Sequence, residues 1–303
     1  MSTKPDDRPA ERVEVIETDD GLQLHLGRWG EPRRGSVILL HGGGQTRHAW
    51  GNSAARLAEA GWEALALDMR GHGDSAWSPS GDYALSRLAR DVAGIAATLT
   101  ARPVIVGASM GGMTALYALG RMDPELAHAL VLVDVVPRME GAGVRRIVQF
   151  MQAHPQGFAT LNEAAAAVAG YRGGTRERPV NFDGLRKNLR QRADGRWYWH
   201  WDPQMLQPRN PQAMVDYMGL FDAARAIRVP TLLVRGQRSD VVSAKGVEEF
   251  LELVPHAEFV DVAGAGHMVA GDDNDAFSAA ILDFLDRHPL PTGTADTSLS
   301  ARY

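Results

Sequence analysis

The chain has 303 residues, with 32 Lys and Arg against 37 Asp and Glu, a formal charge of −5. That length fits one large α/β domain with a modest insertion, and the mild acidity argues against a nucleic-acid protein, which would carry a strong basic excess. The absence of cysteine excludes disulfide frameworks, thiolate metal sites and a thiol nucleophile.

Residues 1–12 are charged and polar; they read as a disordered tail without the apolar segment of a secretion signal. No apolar run reaches the ~18–20 residues that span a bilayer, so the expectation is a cytoplasmic protein with no membrane insertion. Val13–Thr18 and Leu22–Trp29 alternate in hydrophobicity on either side of Asp19-Asp20-Gly21, the pattern of a hairpin. Val37–Leu40 is continuously apolar, as a strand buried on both faces requires, and ends at His41-Gly42-Gly43-Gly44. A helix follows over Trp50–Ala60, then a strand over Glu63–Leu67 ending at Asp68. Arg87–Leu99 is helical, with Leu88, Val92, Ile95 and Leu99 on one stripe. Val104–Val106 is the next strand and runs into Gly107-Ala108-Ser109-Met110-Gly111-Gly112 and a helix. Ala129–Val133 and Thr231–Val234 are further buried strands, followed by a helix over Lys245–Val254, a strand over Glu258–Val262 and a helix over Ala276–Arg287. This alternation predicts an α/β fold, a mostly parallel sheet of about eight strands with helices on both faces.

The alternation breaks over 137–226. There the stripes are helical (Val144, Ile147, Val148, Met151; then Phe158, Leu161, Ala165, Val168) and no buried-strand run occurs. A helical cap is expected, lying above the C-terminal ends of the core strands, where open α/β sheets bind ligands. The core is then 13–136 and 227–288, and the small, polar, proline-punctuated stretch 289–303 reads as a disordered tail.

The strongest chemical signal is Gly107-x-Ser109-x-Gly111, set between a strand and a helix. A sharp strand-to-helix turn strains the serine backbone, projects its hydroxyl into the cleft and leaves helix-start N–H groups facing developing negative charge. A hydroxyl is a weak nucleophile without a base beside it. His267, in the small-residue loop Ala263-Gly264-Ala265-Gly266 after the last strand, is the best placed of ten histidines. His41 reads as shaping the glycine loop, His72 as a turn residue, and His200 as a cap residue within reach of substrate. Asp272, Asp273 and Asp275 read as caps of the closing helix.

Five stretches together carry a resemblance: His41-Gly42-Gly43, the run Asp68-Met69-Arg70-Gly71-His72-Gly73-Asp74-Ser75, the Ser109 turn, Gly236-x-x-x-Asp240, and Gly266-His267. On these the sequence resembles the α/β-hydrolase fold family from about Val13 to Arg287, as a capped serine esterase or lactonase-like member. The resemblance implies the order Ser, Asp, His for the catalytic triad. It places the acid at Asp240, the one carboxylate in its loop, with Asp134, at the end of the ALVLV strand, as the alternative. It implies an oxyanion hole from the backbone N–H groups of Gly43 and Met110, with Gly44 a possible third donor. No cofactor is expected, and no metal either, since no His/Asp/Glu cluster has the spacing of a recognised metal motif.

Within the cap, Trp197, Trp199 and Trp201 alternate through WYWHW and read either as an apolar wall for an acyl group or as packing between cap and core. Met110, Met113 and Met268 flank the motifs and read as pocket lining or plain core. Arg186, Lys187, Arg190, Arg192 and Arg196 read as a solvated face, or as an attractor of a carboxylate. The function expected is hydrolysis of a small carboxylic ester or lactone through an acyl-enzyme, with the small-molecule substrate as the partner. Perhydrolase, haloperoxidase-like or carbon–carbon bond hydrolysis on the same triad are alternatives, and a non-catalytic ligand-binding protein is a more distant one. Nothing in the sequence sets an oligomeric state.

Overall fold

The continuous apolar runs become the middle of one eight-stranded sheet. A computed structural model describes residues 9–171, 182–207, 211–267 and 274–290. In chain order its core begins with β1 (Arg12–Glu17), β2 (Gln23–Trp29), β3 (Ser36–Leu40), α1 (Gly51–Glu59), β4 (Glu63–Leu67), α2 (Leu85–Ala96), β5 (Val104–Ala108), α3 (Met110–Tyr117) and β6 (Ala129–Val133). The insertion follows: α4 (Gly141–Gln152), α5 (Leu161–Tyr171), α6 (Phe182–Arg186), β7 (Leu189–Gln191), β8 (Trp197–Trp199), α7 (Pro211–Met218) and α8 (Leu220–Ala226). The core closes with β9 (Thr231–Gly236), α9 (Ala244–Leu253), β10 (Glu258–Val262) and α10 (Ser278–Arg287).

The strand order is β1-β2-β4-β3-β5-β6-β9-β10, antiparallel at β1-β2 and β2-β4 and parallel elsewhere. Every residue of β3, β4, β5 and β6 is buried. Side chains alternate across a strand, so each apolar run feeds two cores. Ile38, Leu40, Ile105, Leu130, Leu132 and Leu233 pack with α2, α3, α8 and α9 on one face. Val37, Leu39, Val104, Val106, Val131 and Val234 pack with α1 and α10 on the other. The chain runs from β3 to β4 on one side, then returns across β3 to β5. The crevice outside the C-terminal ends of β3 and β5 is therefore the switch point where such sheets bind ligands.

The insertion differs from the expected helical cap in two respects. It contains a small antiparallel sheet, β7 against β8, whose three-residue strands are too short to show a periodicity. Its last helix, α8, belongs to the core: Leu220, Ala223 and Ala224 are buried in the same cluster as α2 and α3. The rest has an apolar centre of its own, built from Phe150, Met151, Phe158, Val168, Trp199 and Trp201 among others. At the ends, Leu290 packs on the second sheet face, while 1–8 and 291–303 lie outside the described residues.

Candidate active site

Ser109 stands between β5 and α3 with φ 47° and ψ −113°. A non-glycine residue held there stores about 1–3 kcal/mol, which the surroundings must impose. They do so from both sides. Ser109 N–H donates to the Val133 carbonyl at 3.1 Å, and Gly111 N–H donates to the His41 carbonyl at 3.2 Å. A side chain at Gly111 would meet Leu40 Cβ at 2.6 Å, and one at Gly107 would meet the Gly111 carbonyl at 2.5 Å, so the close approach needs both glycines. Although Ser109 occupies the N-cap of α3, its hydroxyl makes no capping bond. The structural duty of a serine at that position is not the one it performs.

His267 and Asp134 meet at Nδ1···Oδ2 2.6 Å, with each side chain only 4 % exposed. Asp134 directly follows β6 at φ 52°, and its carboxylate also accepts from Gly236 N–H at 3.1 Å and Ser239 O–H at 2.8 Å. A carboxylate at Nδ1 keeps a proton on that nitrogen and leaves Nε2 as the acceptor. Among the described residues, neither His267 Nε2 nor Ser109 Oγ has a hydrogen-bond partner. Because Ser109 N–H is bonded to Val133, the residue before Asp134, these groups lie at the ends of the neighbouring strands β5 and β6.

Asp240, expected as the partner of His267, is not beside it. Its side chain is 37 % exposed and pairs with Arg146 of α4 at 3.2 Å. The cause is local. Ser239 turns inward to Asp134, and its Oγ accepts from Val241 N–H at 3.2 Å and Val242 N–H at 3.0 Å. The loop after β9 is thereby curled so that Asp240 faces α4.

The backbone N–H groups of Gly43 and Met110 meet no acceptor among the described residues, as free donors of a strand-end turn and a helix start do. Gly44 is different. Its N–H donates to His72 Nε2 at 3.1 Å, so the third oxyanion donor considered from sequence is already engaged. Met151 of α4 and Trp201 lie directly against Gly44, and Met151 also borders Gly43. Met151 stood in the sequence only as one member of a helical stripe; no pattern marked it as a neighbour of the glycine loop.

The residues expected to line a cap or pocket separate clearly. Trp199 and Trp201 stack at 4.9 Å and 12° inside the apolar cluster of the insertion, and Trp201 Nε1–H donates to the Met151 carbonyl at 3.2 Å. Trp197 is half-buried and bridges to Phe158 through its backbone. The tryptophans are therefore chiefly packing residues, with Trp201 at the glycine loop. Met113 is buried in the core, and Met110 is packed against it. Met268, Asp272 and Asp273 lie outside the described residues. Asp275 accepts from Asn52 and Ser53 at 2.6 and 3.2 Å, tying the chain end to α1. Three members of the basic stretch have structural partners. Arg190 pairs with Asp74 at 2.6 Å, Arg192 covers Tyr198, and Arg196 donates to the carbonyls of Gln156 and Gly157.

Three buried histidines surround the glycine loop. His41 and His72 are held below the ordinary imidazole value by burial, His72 well below it. Burial brings His200 down to about 3. The carboxylate group of Asp19, Asp20 and Asp91 is occupied by guanidinium, because Arg70 donates to both Asp91 and Asp20 at 2.7–2.9 Å.

Residues 35–273 match the family model described as alpha/beta hydrolase fold. The chain is 32% identical over 272 residues to an esterase, Rv0045c, of Mycobacterium tuberculosis, covering 86% of this chain and 85% of that one. It is 30% identical over 274 residues to N-formylmaleamate deformylase of Pseudomonas putida, covering 89% and 95%. Among solved structures, an alpha/beta hydrolase from Novosphingobium aromaticivorans superposes with a TM-score of 0.74 at 27% identity, covering 91% of this chain and 98% of that one.

Proposed function

Starting from the fact that this chain belongs to the α/β-hydrolase fold family and is a hydrolase, we propose that it cleaves a small carboxylic ester or lactone through an acyl-enzyme formed on Ser109. His267 Nε2 takes the Ser109 proton as Oγ adds to the carbonyl carbon. The tetrahedral oxyanion is held by the N–H groups of Gly43 and Met110. His267 then returns the proton to the leaving alkoxide as the carbon–oxygen bond breaks. In the second half, His267 deprotonates a water that adds to the acyl carbon, and its proton goes back to Ser109 Oγ as the acid is released. Asp134 holds the imidazole in the required tautomer and stabilises the imidazolium.

The observation that supports this reading is a strained, uncommitted Ser109 at the end of β5 and a buried His267–Asp134 couple at the end of the neighbouring β6. The test is labelling with a fluorophosphonate, peptide mapping, and turnover of a graded panel of esters. A Ser109 adduct and ester turnover are expected, both lost in Ser109→Ala. An intact folded protein that gives no adduct and cleaves no member of the panel would refute the mechanism.

A further inference from the structure

The turn that carries Gly43 is held one peptide at a time by three buried imidazoles. Gln45 N–H donates to the Gly42 carbonyl at 3.1 Å and Gly44 has φ +76°, the geometry of a type II turn. The carbonyl of the first peptide, Gly42–Gly43, accepts from His41 Nδ1 at 2.8 Å. In a trans peptide the N–H points opposite to the C=O, so this bond also aims the N–H of Gly43. The second peptide, Gly43–Gly44, donates its N–H to His72 Nε2 at 3.1 Å. The third, Gly44–Gln45, accepts at its carbonyl from His200 Nε2 at 3.2 Å.

Each ring is locked by a second backbone partner. Met69 N–H donates to His41 Nε2 at 3.0 Å, His72 Nδ1 donates to the Arg70 carbonyl at 3.3 Å, and Gly73 N–H donates to His200 Nδ1 at 2.7 Å. A ring nitrogen that receives an N–H carries no proton. His41 and His72 are therefore protonated at Nδ1 and His200 at Nε2. The rings pack in series, His41 to His72 at 4.9 Å and His72 to His200 at 5.7 Å, and none is more than 1 % exposed.

Two of these rings come from core loops. The third, His200, comes from the cap just after β8, and its neighbour Trp201 rests on Gly44. We infer that His200 is a positioning residue through which the seated cap completes the oxyanion turn, so that cap docking sets the rate of the chemical step. This rests on the assignment of Gly43 as an oxyanion donor. The positioning acts on the transition state, in which the oxyanion exists, and leaves ground-state substrate binding alone.

The test uses His200→Asn, His200→Gln and His200→Phe in the full chain. Asn keeps an acceptor for Gly73 but does not reach Gly44. Gln keeps a donor long enough for Gly44. Phe keeps a ring against Trp201 with neither bond. For a short-chain p-nitrophenyl ester, the Asn and Phe variants are expected to lose about 10–100-fold in kcat, less than outright loss of a donor, with KM within about twofold. Affinity for a trifluoromethyl ketone, which forms a tetrahedral adduct, should fall in parallel, and Gln should recover most of the loss. Thermal unfolding checks that each variant is folded; should Phe unfold below the assay temperature, the Asn and Gln pair decides. Unchanged kcat in Asn, or a rise in KM alone, overturns the inference. Failure of the underlying mechanism has another signature, a wild-type protein with neither a Ser109 adduct nor ester turnover.

Discussion

At the scale of single residues, two aspartates compete for one role and the structure separates them by what they touch. Asp134 gives one oxygen to His267 and Ser239 and the other to Gly236, while Asp240 spends its charge on Arg146 of α4. Asp134→Asn should therefore lower kcat by about 10³–10⁴, because an amide at that position favours the wrong imidazole tautomer. Asp240→Asn removes only a partly exposed ion pair, worth no more than about 1 kcal/mol, and should leave kcat within about threefold. Steady-state kinetics of the two variants on the same ester decide between them, and the reverse ranking would return the acid to Asp240. The sequence could not make this choice. Both residues follow closely on a buried parallel strand, and what separates them is the left-handed backbone of Asp134 and the inward turn of Ser239, neither of which leaves a mark in residue type. Ser109 and His267 were legible because small residues must flank them, and small residues do show.

At the scale of elements, the buried strands were readable from continuous apolar runs, since a strand covered on both faces has no polar face to break the run. The cap was harder. β7 and β8 span three residues each, and WYWHW serves as a strand, a stacking platform and a source of the His200 contact at once. The seating of α4 is similarly hidden, yet it makes a sharp prediction. A Cβ on Gly143 would lie 2.2 Å from the Asp240 carbonyl, whereas one on Gly141 meets only the mobile end of Arg145 at 3.1 Å. Gly143→Ala should force the start of α4 off the loop after β9 and cost about 1–3 kcal/mol. Gly141→Ala should be neutral or slightly stabilising, because alanine is the better helix former. The far end of α4 carries Met151 over Gly43 and Gly44, so only the Gly143 variant should also lower kcat. Urea unfolding and ester kinetics read both effects, and equal behaviour of the two alanines would contradict the packing described for α4.

At the scale of the whole molecule, the net charge of −5 says little about how stability varies with pH; the buried imidazoles say more. Burial is the main cause that lowers His41, His72 and His200. Asp68 pulls His41 and His200 the other way, His41 and His200 further lower His72, and His41 and Arg190 further lower His200. In the unfolded chain these rings titrate near the ordinary value of about 6.5. As the pH falls below that value, the unfolded state takes up protons that the folded state refuses, so acid draws the equilibrium toward unfolding. For His200 the loss continues down to its folded value of about 3. Each such group makes stability fall by about 1.4 kcal/mol per pH unit within its window. The unfolding free energy should then be nearly level between about pH 7 and 8 and decline steeply from about pH 6 to 4. His48 and His128, also lowered chiefly by burial, act in the same direction. In His200→Gln the acid limb should be shallower by one proton, about 1.4 kcal/mol per pH unit, whatever the variant's stability at neutral pH. Urea denaturation repeated across this range measures the slope directly. A slope identical to that of the wild type would mean that His200 accepts a proton as readily in the folded protein as in the unfolded chain, and that the third ring is not sealed between cap and core.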